Sequence, residues 1–158
     1  MQDMSALSSK TSDPVNIFLI GNNPTDLGWI YKMLKSIKNR TFRTEIHFDL
    51  SNVLKKISQF NPACILIDDN LERLKLIKLV RHLNNHVRTR HIPITVIKNS
   101  NYNEASIQEA QDFLLKDSLT SDTLDRSIFN SIRFKRMQRY LTINYKQKKN
   151  KLNQFLKR

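Results

Sequence analysis

The sequence predicts a doubly wound α/β sandwich, a five-stranded parallel sheet covered by helices on both faces, whose last helix continues as a long basic extension. Three observations predict it. Short apolar runs alternate five times with segments of 3.6-residue periodicity, as repeated strand–helix units do. The runs Val15-Asn16-Ile17-Phe18-Leu19-Ile20, Ala63-Cys64-Ile65-Leu66-Ile67 and Ile92-Pro93-Ile94-Thr95-Val96-Ile97 are nearly continuous in β-branched and aliphatic side chains, the composition of strands buried on both faces. Neither Gly nor Pro follows Pro93, so nothing in the sequence ends the final helix.

Taken in order, residues 1–14 are polar, carry Asp3 and Asp13, and lack the apolar stretch of a signal peptide; they read as a disordered leader. The first strand is the run from Val15, and the first helix follows with Trp29, Met33, Leu34 and Ile37 as its core face. A second strand spans 43–48, and Val53, Leu54 and Ile57 mark the second helix. After the third strand, Leu71, Leu74, Ile77 (or Leu76) and Val80 line the third helix. The fourth strand precedes a weaker fourth helix over 103–110, and Phe113-Leu114-Leu115 forms the fifth strand. Ser118, Thr120 or Ser121 caps the fifth helix, with Asp122 facing the positive end of its dipole. Leu124, Ile128 and Ile132 turn toward the sheet, and beyond them Met137, Leu141, Tyr145, Leu152 and Phe155 continue an apolar stripe interrupted by Lys148. At 1.5 Å per residue this helix is about 55 Å long, so its distal half projects past a domain of this size. Residues 15–132 are thus one globular domain, and 133–158 a basic helical extension. Right-handed crossovers make the doubly wound arrangement the simplest topology, with chemistry expected at the carboxyl ends of the strands.

Composition narrows the class. Hydrophobic residues are 39% and charged residues 26%, and no apolar run approaches the roughly 18 residues of a membrane span. The single cysteine, Cys64, sits within a strand run as a core thiol and permits no intrachain disulfide, which points to a cytoplasmic setting. The net charge of +13 is unevenly spread: all 14 acidic residues lie at or before Asp125, whereas the last 26 residues hold ten bases and no acid. The globular part is therefore close to neutral, and the extension carries the charge through Arg133, Lys135, Arg136, Arg139, Lys146, Lys148, Lys149 and Lys151 together with the terminal Lys157 and Arg158.

The strands end in Gly21-Asn22-Asn23-Pro24, Asp68-Asp69-Asn70, Lys98-Asn99-Ser100 and Lys116-Asp117. With these ends, the segments 64–71, 92–97 and 111–117 make residues 15–133 resemble the receiver domain of bacterial two-component response regulators, a flavodoxin-like fold. The resemblance places the phosphoacceptor aspartate on Asp68 and the phosphoryl-contacting lysine on Lys116. It places the metal-binding acidic pair on Gly21 and Asn22, the hydroxyl residue on Lys98, and the switch aromatic on Phe113. The Pro-Gly turn of that family is absent, since Leu71-Glu72-Arg73-Leu74 runs straight on.

These departures have a physical consequence. Mg²⁺ requires oxygen ligands whose negative charge offsets its dehydration. Here Asp68 faces Lys98 and Lys116, while Asn22 offers a neutral carbonyl and strand alternation points Asp69 away. Mg²⁺ binding and metal-dependent phosphorylation are expected to be weak or absent, no other cofactor is implied, and the chain reads as a non-enzymatic pseudo-receiver. For Lys98 two arrangements stand open: an internal ion pair with Asp68 that locks one state, or an ammonium reaching solvent while Asp68 pairs with Lys116 alone. His82 and His86 have a helical pair spacing but lack a third ligand.

As the resemblance implies, a protein partner engages the fourth helix, fifth strand and fifth helix. The basic extension admits self-association as a homodimer, an acidic protein or membrane surface, nucleic acid, or no partner at all. The function expected is signalling by protein–protein contact. The alternatives are a nucleic-acid-binding regulator acting through the basic helix, and a phosphorelay receiver still active at Asp68.

Overall fold

The computed structural model describes residues 13–99, 107 and 110–157. Strands β1 (Val15–Ile20), β2 (Phe42–His47), β3 (Cys64–Asp68), β4 (Ile94–Lys98) and β5 (Asp112–Leu115) form one sheet in the order β2-β1-β3-β4-β5. Every neighbouring pair is parallel. The order reverses at β1, which opens a crevice beyond the carboxyl ends of β1 and β3. The described helices are α1 (Pro24–Ser36), α2 (Val53–Phe60), α3 (Arg73–Asn85) and α4 (Ser121–Leu156), with a 3-10 turn at Lys116–Ser118. Of the helix expected over 103–110 only residues 107 and 110 are described, and of the leader expected over 1–14 only residues 13 and 14; the rest of both lies outside the described residues, and α4 is the fifth helix of the sequence reading.

Alternation along the strands builds two cores. Phe18, Ile20, Ile65, Ile67 and Val96 point to α2 and α3, where they meet Ile57, Phe60, Leu76 and Leu83. Ile17, Leu19, Cys64, Leu66 and Ile97 point to the opposite face, against Leu27, Ile30 and Leu34 of α1 and Leu124, Ile128 and Ile132 of α4. Because β1, β3 and β4 are covered on both sides, both parities are apolar, which is why these runs read as continuous rather than alternating. Burial pushes the Cys64 thiol up to about 12, so it remains a protonated core group.

Two helix faces differ from the sequence expectation. Trp29 is 40% exposed, and the buried face of α1 is Leu27, Ile30 and Leu34. Asn23 caps this helix, its Oδ1 accepting from Thr25 N (3.0 Å) and Asp26 N (3.3 Å), with Pro24 in the first turn. That start sets a phase in which Leu27 faces the sheet and Trp29 does not. Leu74 is 63% exposed because α3 begins at Arg73, and Leu76, Leu79, Val80 and Leu83 then form the inward stripe, with Leu71 buried ahead of it.

The last helix follows its expected course. Thr120 caps it: its Oγ1 accepts from Thr123 N (3.1 Å), while Thr123 Oγ1 accepts from Thr120 N (2.9 Å). Its inward face is Leu124, Ser127, Ile128, Ser131 and Ile132, and the two serines admit close approach to the sheet. Ser127 Oγ donates to Asp112 Oδ2 of β5, and Ser131 Oγ lies 3.4 Å from Thr95 Oγ1 of β4. Helical geometry then continues to Leu156 with almost every side chain after Ile132 exposed. No helix among the described residues is long and apolar enough to cross a membrane.

Candidate functional site at the carboxyl ends of the strands

Parallel strands deliver their last residues to one pole of the sheet, and there the structure brings Asp68 and Lys116 together. Asp68 ends β3 with no exposed surface. Lys116 follows β5 and places Nζ 3.0 and 3.1 Å from the two carboxylate oxygens of Asp68. The same ammonium donates to Asn99 Oδ1 (2.6 Å) and Asp26 Oδ2 (3.1 Å). Asp68 Oδ1 also accepts from Asn70 N at 3.2 Å and from Asn99 Nδ2 at 3.4 Å. A buried carboxylate needs this density of donors, because neither water nor a distant charge would offset its desolvation.

Asp26 is the functional residue that the sequence reading missed. It lies in the first turn of α1, where the helix dipole favours a carboxylate, and its Oδ2 accepts from both Lys116 Nζ and Asn70 Nδ2. The signal was present in Asn23-Pro24-Thr25-Asp26, a capped helix start directly after the first strand, which presents its first turn to the strand ends. With Asp26 included, the Lys116 ammonium meets two carboxylates, rather than the single one counted from strand ends alone.

Gly21 and Asn22, the positions that the resemblance gives to an acidic pair, have surroundings of their own. A side chain at Gly21 would bring its Cβ to 2.8 Å from Leu27 Cδ2 and 3.0 Å from Asp68 Cβ, so no carboxylate fits there without displacing a buried leucine. Asn22 donates its amide to the carbonyl of Asn70 at 3.0 Å. Asp69 turns outward, its Oδ1 accepting from the backbone N and the amide of Asn99. Lys98 does not reach solvent: it is 4% exposed, and its Nζ lies 5.6 Å from the centroid of Phe113, within cation–π range. The solvent-reaching arrangement for Lys98 is thereby corrected, since a buried ammonium can settle on an aromatic face and adjacent polar groups instead of snorkelling.

These residues do not fit a Mg²⁺ ion. The ammonium of Lys116 takes the position between the Asp68 and Asp26 carboxylates, and the Asn70 carbonyl already accepts from Asn22. Among the described residues, no group of three or more His, Cys, Asp or Glu is placed to hold a metal. The lost space at Gly21 can be measured directly. Gly21→Ala is expected to lower the unfolding free energy by about 1–3 kcal/mol through overpacking against Leu27. An unchanged midpoint in urea would show that Leu27 moves aside freely.

The basic residues of the extension occupy different faces of α4. Arg133, Arg136, Arg139, Lys146, Lys148, Lys149 and Lys151 are exposed, whereas Lys135 is half-buried and loses part of its proton affinity to desolvation. Of the expected partner face, β5 and α4 are described; Phe113 is half-buried at the sheet edge. His82 and His86 have ring centroids 6.4 Å apart at the end of α3, and the described residues add no third ligand.

The parallel sheet in this order, with the long C-terminal helix, is the flavodoxin-like fold of response-regulator receivers. Solved structures agree. A putative response regulator from Chloroflexus aurantiacus superposes with a TM-score of 0.66 at 17% identity, over 76% of this chain and 98% of that one. The receiver domain of a sensor histidine kinase from Pseudomonas aeruginosa, which has a magnesium ion coordinated in its active-site cleft, gives 0.64 at 21% identity, over 75% and 98% of the two chains. The chemotaxis protein CheY4 of Vibrio cholerae gives 0.62 at 15%, over 75% and 98%. No protein-family model matches the sequence, and no curated protein matches it. At these identities the likeness speaks for the fold.

Proposed function

We propose that this chain is a non-enzymatic, pseudo-receiver signalling module that works in the cytoplasm by protein–protein contact, without Mg²⁺ and without phosphoryl transfer. One observation carries the reading. The Lys116 ammonium bridges Asp68 and Asp26 at 3.0–3.1 Å, supplying inside the fold the positive charge that a dication would bring. A phosphoacceptor must offer a free carboxylate oxygen, and both oxygens of Asp68 accept from Lys116. Lys98 over Phe113 adds a second internal contact, at the position that the resemblance gives to the switch aromatic. The module then presents one standing conformation of its β5–α4 face to a protein partner.

The test is an intact-mass measurement after incubation with Mg²⁺ and a small acyl phosphate, beside an Asp68→Asn control. The expected result is an unchanged mass in both proteins. Gain of one phosphoryl group by the natural chain and not by the control would establish the active-phosphoacceptor reading instead. The nucleic-acid reading is favoured by the exposed bases of the extension. It requires binding whose affinity falls steeply with salt and is lost when residues 133–158 are removed.

A further inference from the structure

We infer that the notch between α4 and the amino-terminal ends of β1, β3 and β4 is a binding pocket for a small polyphosphorylated ligand of the nucleoside di- or triphosphate class. It lies at the pole of the sheet opposite Asp68 and is independent of the function proposed above. Its volume is about 420 Å³, within the range of small-ligand pockets. One wall is a single face of α4: Ile132, Lys135, Arg136 and Arg139 follow the i, i+3, i+4, i+7 spacing, so three bases line up on the side of the helix that looks back at the domain. His91, just ahead of β4, joins them. Among the described residues, none of the lining is acidic.

Bases that merely solubilise a helix point to water, and those of Lys146, Lys148, Lys149 and Lys151 do so. At the notch one base is drawn inward, while Arg136 and Arg139 line it from exposed positions. Lys135 is half-buried, with the amide oxygen of Asn84 at 3.5 Å. Neither Lys135, Arg136 nor Arg139 meets a carboxylate among the described residues. Desolvation lowers the pKa of Lys135; partial burial, followed by the charges of Arg139, Lys135 and Arg90, lowers that of His91. The groups are therefore gathered at an electrostatic cost that a multivalent anion would relieve. Two arginines present planar forks suited to phosphate oxygens. The rest of the lining has a different, mixed chemistry: the rings of Pro14, Pro62 and Pro93, which carry no N–H, lie with the amides of Asn16 and Asn61, so a flat heterocycle would meet both apolar faces and hydrogen-bonding groups. A site with cations on one wall and this mixed lining beside it suits a ligand with phosphates at one end and a base at the other. A continuous phosphate backbone would instead follow the outer bases.

The experiment is isothermal titration of the full chain with ATP, ADP and inorganic pyrophosphate in EDTA, which excludes a metal-mediated site. Two charge-matched variants are compared, Arg136→Glu/Arg139→Glu in the pocket and Lys149→Glu/Lys151→Glu beyond it, with circular dichroism to verify folding. The expected result is saturable one-to-one binding, tighter for ATP than for pyrophosphate. The pocket pair should weaken it about tenfold or more, the distal pair and Asp68→Asn leaving it unchanged. Absence of saturable binding would overturn the inference. So would equal losses in both pairs, pyrophosphate binding as tightly as ATP, or a single-stranded oligonucleotide that displaces ATP and is weakened alike by both pairs.

Discussion

Replacing Lys116 by methionine is expected to lower the unfolding free energy by about 3–5 kcal/mol, a large fraction of the 5–15 kcal/mol that holds a typical domain. Methionine keeps most of the lysine's volume, so the loss would come from charge rather than packing. Lys116 is the hub of the pole: without it, the fully buried Asp68 carboxylate loses two of its hydrogen bonds and faces Asp26 with no cation between them. Asp68→Asn in the Lys116→Met background should recover much of the loss by removing the uncompensated charge, which makes the double-mutant cycle diagnostic. Asp26 is partly exposed, and Asp26→Asn should cost about 1 kcal/mol or less. Urea denaturation reads the four proteins of the cycle, the single Asp68→Asn among them, and Asp26→Asn. A loss below about 1 kcal/mol for Lys116→Met would mean that water or a bound cation replaces the ammonium, and the metal-free reading of the site would fall with it.

The second large effect divides α4 into two parts. Ile128→Ala should cost about 2–5 kcal/mol, because Ile128 is fully buried between the sheet and α1. Leu141→Ala, only 13 residues further along the same helix, should change stability by no more than about 0.5 kcal/mol, since Leu141 is 59% exposed. The contrast would place the edge of the folding unit near Ile132 and leave the distal stripe available for binding. A substantial loss at Leu141 would instead show that the distal half packs on a second copy in solution, and the loss would then depend on protein concentration.

Periodicity and strand composition were enough to predict the sheet, its parallel sense and the continuation of α4. A run buried on both faces leaves a continuous apolar signature, and a helix with no Gly, Pro or cap has no stop. The same local signals misplaced Trp29 and Leu74, because periodicity shows that a face exists but helix phase depends on where the cap lets the helix begin. The candidate site was legible only where it sits on strand ends. Asp68 and Lys116 are the last residue of β3 and the first after β5, so topology alone carries them to one pole. Asp26 comes from a helix turn 42 positions before Asp68, and Lys98 is buried beside an aromatic from the neighbouring strand. The sequence by itself determined that Gly21 and Asn22, rather than carboxylates, follow the first strand, because residue identity is local information. Only the tertiary structure decided that an ammonium sits between two carboxylates in that place, because which charges meet across a buried pole depends on distances between segments that the sequence keeps apart.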